Sequence, residues 1–114
     1  MVLQTKTEME LFWQIRTLFG SENQNPDYTF SGQCLVTRGV HDELPAIEIK
    51  QIVEDVYSAV TSEGKIDYLQ VYKKGDQKIF VIDQLSNTQL EGDDYTEEQK
   101  KEYNYFTVLF PSEY

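Results

Sequence analysis

Basic residues are scarce in this chain: ten lysines and arginines stand against twenty acids, for a net charge of −10. That imbalance argues against electrostatic binding of nucleic acid or of an anionic membrane, and favours a basic or cationic partner. Cysteine is limited to Cys34. Lying in an apolar, strand-like run, it cannot form an internal disulfide and reads as a small buried hydrophobe, which suits a reducing cytoplasm. The six glycines are scattered singly, so no phosphate-cradling loop is present. No apolar run approaches the roughly 18 residues of a membrane span, and no charged-then-apolar leader opens the chain. The expectation is a cytoplasmic protein with neither a membrane span nor a secretory signal.

What the chain does contain is aromatic and acidic. Its 114 residues are 39% hydrophobic and include eight tyrosines, six phenylalanines and one tryptophan, enough for one modest core and a single domain, 1–114. Residues 42–64 carry six acids against Lys50, and residues 86–114 carry seven against Lys100 and Lys101; each segment sums to −5. Residues 65–85 sum to +1.

The stretch from Ile66 to Gln84 organises the rest. Two apolar runs alternate with period two around a polar turn, Lys73 to Lys78, where Gly75-Asp76 tolerates the reversal, which predicts a β-hairpin. Leu69 and Val71 belong to one face, Tyr68, Gln70 and Tyr72 to the other. Upstream, Thr5 and Glu8 have capping-box spacing, and Leu11, Phe12, Ile15, Leu18 and Phe19 recur at helical intervals, predicting a helix over 6–19 that is a candidate peripheral element. Met9 and Trp13 fall outside that stripe and are either exposed or covered by the loop that follows. A strand is expected over 28–37, with Gly32 at a bulge or close backbone approach. Asp42, Glu43 and Pro45 then read as the start of a helix running to about Ser62. Ile49, Ile52, Val53, Val56 and Val60 line its core face, and Glu48, Gln51, Glu54, Asp55 and Ser58 face away. Residues 86–102 read as an acidic mobile loop holding one short helix capped by Thr96 and Gln99. The final strand, 103–110, is apolar on both faces and belongs inside the sheet. The expected fold class is therefore α+β: a two-layer domain with a mainly antiparallel four-stranded sheet, one covering helix and an N-terminal helix.

Three pieces carry a resemblance: Val36-Thr37-Arg38-Gly39-Val40 with its acidic-Leu-Pro continuation, the strand pair DYLQVY and KIFVIDQ, and the terminal run from Thr107 to Tyr114. Over residues 34–114 the chain resembles a group of small, uncharacterised bacterial proteins carried on plasmids, phages and other mobile elements. The resemblance implies a bacterial cytoplasmic setting and brings no catalytic residues with it.

The chemistry-bearing constellations are thin. His41-Asp42-Glu43 sits at a helix start, where capping is the ordinary role and three consecutive residues do not converge on a metal. Glu91 to Asp94 lacks the ligand pattern of a calcium loop. Ser58, Ser62 and Ser112 have only His41 as a candidate imidazole base, so no triad can be drawn. No enzyme, metal or cofactor is expected. The favoured reading is a non-enzymatic acidic interaction protein of a mobile element. It would mask a basic nucleic-acid-binding host protein by imitating a phosphate backbone, in an anti-restriction or anti-CRISPR role. The candidate contact residues are Glu48, Glu54, Asp55, Glu91, Asp93, Asp94, Glu97, Glu98 and Trp13. Two alternatives stand beside it: an immunity protein or antitoxin occluding a basic toxin, and a small-molecule-binding domain with a Tyr-lined pocket. Tyr68, Tyr72, Tyr103 and Tyr105 form either an exposed contact patch on the sheet, which would favour binding, or ordinary cross-strand packing.

Overall fold

The computed structural model describes residues 14–16 and 26–114. Strand β1 is Gln14–Arg16 and β2 is Gln33–Val36; two helices follow, α1 (Arg38–Glu43) and α2 (Ala46–Glu63). The hairpin is β3 (Leu69–Lys74) and β4 (Gln77–Asp83), and helices α3 (Asn87–Glu91) and α4 (Glu97–Tyr103) lead into β5 (Tyr105–Leu109). A 3-10 turn, Pro111–Glu113, closes the chain. The sheet runs β1-β3-β4-β5-β2, so the protein is a small α+β domain with a mixed sheet.

The hairpin forms where its alternation predicts, with Lys74 opposite Gln77 and Gly75 turning at φ +60°. Strand β5 lies inside the sheet between β4 and β2, as its two apolar faces require. The expectation of antiparallel pairing holds for β1 with β3, β3 with β4, and β4 with β5. It fails for β2 with β5, which run parallel. The reason is the return path: α2 carries the chain back to the end of the sheet from which β2 set out, and a parallel pair requires such a crossover.

Two further expectations are corrected. The residues 6–19 do not form one continuous helix, because Gln14–Arg16 pair antiparallel with Val71 to Lys73 of β3. Trp13-Gln14-Ile15-Arg16 alternates apolar with polar as readily as it fits a helical stripe, and the main-chain groups on the outer edge of β3 decide between them. The rest of that stretch, Met9 and Trp13 included, lies outside the described residues. The second helix does not begin at Asp42. Thr37 caps α1, its hydroxyl accepting from the Val40 N–H at 3.3 Å, and α1 ends at Glu43. Pro45 forces Leu44 into extended backbone, φ −104° and ψ 139°, so α2 starts afresh behind it.

Paired residues across the ladders share a face. Tyr72, Ile79, Val81, Phe106 and Val108 are all fully buried on the face that α2 covers with Ile52 and Val56, while Ile49, Val53 and Val60 pack around them. That apolar stripe is the expected one. Gly32 makes the expected close approach, since a Cβ there would stand 2.1 Å from the Asn104 carbonyl oxygen. Ahead of it the strand is interrupted: Tyr28 makes an isolated bridge with Ile66, and Phe30 turns with φ +49°.

Candidate functional site

Strand directions divide the surface into two ends. At the lower end β2, β3 and β5 begin, β4 finishes and α2 exits. The whole of 84–104 therefore lies there, as does the link from Glu63 to Tyr68. Ser86 and Thr96 each cap a short helix through a full capping box, with Gln89 and Gln99 returning their side chains to the cap N–H groups. The Thr96 cap is the expected one; the Ser86 cap adds a helix that the polar run 86–102 did not announce.

Two buried or half-buried carboxylates hold this end together. Asp27 accepts from the Thr88 N–H at 3.1 Å, while its carbonyl accepts from the Asn87 N–H at 2.6 Å and Lys65 lies 3.9 Å away. The Thr88 hydrogen bonds keep its carboxyl below the usual range. Asp83, only 4% exposed, accepts from the Phe30 N–H at 2.9 Å and from the Gln84 N–H at 2.9 Å. Burial pushes its carboxyl up to about 6 against the pull of those two bonds. A buried carboxylate thus fixes the one left-handed non-glycine residue among those described. The signal was present in KIFVIDQ, because Asp83 has the same parity as the inward Ile79 and Val81.

Around this frame the remaining acids point outward. Glu91, Asp93, Asp94, Glu97 and Glu98 are exposed. Glu91 accepts from the Asn87 side chain at 3.0 Å, and Glu97 meets Lys100 at 3.2 Å. Asp93, Asp94 and Glu98 form no ion pair among the described residues. Asp67 is raised by burial and by Glu63.

The expected contact residues on α2 separate. Glu54 is exposed, beside Tyr57, Ser58, Thr61 and Ser62 around an open cavity of about 460 Å³. Glu48 is not presented to solvent as expected: it is half-buried and takes Lys74 of β3 at 2.6 Å. Asp55 also turns toward β3, half-buried, its carboxyl raised by burial and then by Glu54. The helix has two flanks, one against β3 and one against β2, and the three acids divide between them.

The tyrosines form no single patch. Tyr72 is fully buried under α2, its hydroxyl without a hydrogen-bond partner and its phenol pushed up by burial and then by Asp55. Tyr68 packs on Tyr28 with ring centroids 6.0 Å apart, Tyr103 on Tyr95 at 6.1 Å, and Tyr105 pairs with Gln33 on the opposite face of the sheet from Tyr72.

At the upper end, Glu113 reaches back to the start of α1. It accepts from the Thr37 hydroxyl at 2.8 Å and the Phe110 N–H at 2.9 Å, bonds that keep its carboxyl low. The start of α1 at Arg38-Gly39 and the Pro-Ser-Glu-Tyr segment are thus neighbours, joined through the Thr37 hydroxyl.

No family model, curated protein or solved structure matches the chain. Among the described residues no helix is long and apolar enough to cross a membrane.

Proposed function

We propose that this protein is a non-enzymatic, acidic interaction protein that docks a basic partner against its lower end. The observation that supports the reading is the one-sided charge there. Glu63, Glu91, Asp93, Asp94, Glu97, Glu98 and Glu102 surround a framework whose basic residues are Lys65, Lys100 and Lys101. The capped helices hold Glu91, Glu97, Glu98 and Glu102 on short, defined segments, with Asp93 and Asp94 in the bend between them, a better arrangement than a solvated tail for presenting charge in fixed positions. A nucleic-acid-binding protein, whose own surface is built to receive phosphates, is the class of partner such a field attracts, and the resemblance to proteins of mobile elements agrees with an inhibitory role against host defence.

The test is capture from a bacterial lysate at low and high salt. Contacts of this kind are screened over about 8 Å at physiological ionic strength, so capture should weaken as salt rises. A variant carrying Glu91→Gln, Asp93→Asn, Asp94→Asn and Glu98→Gln should fold as before and lose the partner. Equal capture by this variant at every salt concentration would remove the reading.

A further inference from the structure

The sheet ends in two edges of different character. On one side β3 is covered by β1; on the other, β2 has no neighbour among the described residues. In a parallel ladder alternate residues turn both main-chain groups toward the partner. Gln33 and Thr37 do so, donating to the Asn104 and Val108 carbonyls at 3.1 Å each. Cys34 and Val36 therefore aim their N–H and C=O groups outward, and no described residue meets them. The strand Gln33-Cys34-Leu35-Val36 also carries none of the charges, prolines or bulges that normally blunt an exposed edge.

Side chains wall this edge on both sides. Tyr57 leans over it from α2, 44% exposed, its ring edge-on to Phe106 at 5.9 Å and its phenol raised by burial and by Cys34. The cavity beside Tyr57 is bounded by Glu54 and Ser58. On the opposite face Leu35 is 39% exposed. The edge also starts at the acidic lower end, because Gln33 is bonded to Asn104 directly after α4.

We infer that the outer edge of β2 receives an extended, lysine- or arginine-bearing peptide segment of a partner protein as an added strand. The inference rests on the proposed basic partner and names how it is held. The main-chain groups of Cys34 and Val36 would bond the peptide, Tyr57 and Leu35 would take alternate apolar side chains, and its basic end would pass over the acids of the lower end. A second copy is disfavoured as occupant, since two chains of −10 each repel.

The probe is a synthetic peptide of alternating valine and threonine flanked by lysines, compared with the same peptide flanked by glutamates. With isotope-labelled protein, the lysine peptide should shift the amide signals of Cys34 and Val36 and slow their hydrogen exchange, leaving the already bonded Leu35 amide unchanged. Cys34→Pro removes an outward N–H that the fold does not use and should weaken binding about tenfold. Leu35→Lys leaves the main chain intact and should weaken it as well, which covers the case in which the proline variant fails to fold. Silent Cys34 and Val36 amides would overturn the inference even if the acidic end captures a basic protein. Equal binding of the glutamate peptide would retain an added strand but overturn the basic occupant and, with it, the reading beneath. Protection of the two amides that grows with protein concentration alone would make the occupant a second copy and overturn the proposal.

Discussion

The two ends of the sheet each use carboxylates to hold the chain, but they differ in the charge that surrounds them. At the upper end Glu113 is tied to Thr37 and Phe110, Glu48 is tied to Lys74, and Arg38, Lys73 and Lys78 add positive charge nearby. At the lower end Asp27 and Asp83 accept main-chain hydrogen bonds, while Asp93, Asp94 and Glu98 form no ion pair among the described residues. Acidity alone is an ordinary route to solubility. The proposed partner would make use of the acids of the lower end and the strand edge beside them.

The scale for breaking this comparison is set by the core that both ends share. Val56 is fully buried on the inward face of α2, so Val56→Asp should remove several kcal/mol, on the order of a small domain's whole stability. Chemical denaturation measures it; a melt like that of the unaltered protein would mean that the faces of α2 are misassigned. Next in size is Asp83→Ala. It leaves the buried Phe30 N–H without an acceptor at a left-handed residue, for a loss of about 1–3 kcal/mol by the same measurement.

Titration sharpens the contrast between the two ends. The Asp83 carboxyl lies near 6 when folded, above its unfolded value of 3.8, so the folded state binds the extra proton in that interval. Its contribution to stability should rise as pH falls from about 6 toward 4. Glu113 has the opposite sign: its carboxyl is held low by hydrogen bonds, so its contribution is present above the ordinary carboxylate range and lost as pH falls through the lowered value. Unfolding free energies measured against pH for the unaltered protein, Asp83→Ala and Glu113→Gln should separate the two trends. Parallel slopes would contradict the distinction.

Thr37→Ala removes the cap of α1 and the hydroxyl that Glu113 receives, and should cost about 1 kcal/mol. Smallest of all is the stability effect of neutralising Asp93, Asp94 and Glu98. With no ion pair to lose among the described residues, the change should stay within about 0.5 kcal/mol. A large loss there would assign these acids to the framework instead of to a partner.

Local pattern was enough for the hairpin, the inward stripe of α2, the interior position of β5 and the Thr96 cap, because each depends on side-chain period or on groups three or four residues apart. Pro45 was visible too, but whether it opened or divided a helix depended on Thr37, whose capping role involves a hydroxyl shared with a carboxylate at the far end of the chain. The same limit explains the errors of assignment. Glu48 has the spacing of an outward residue on the helical wheel, yet Lys74 stands opposite it once β3 is in place. Tyr72 and Tyr105 look alike in sequence and lie on opposite faces, one sealed under α2. The alternation around Ile15 suits helix or strand equally, and the pairing groups on the edge of β3 settle it. The parallel partnership of β2 and β5, and hence the outward main-chain groups of Cys34 and Val36, follows from where α2 returns the chain, which side-chain order does not encode.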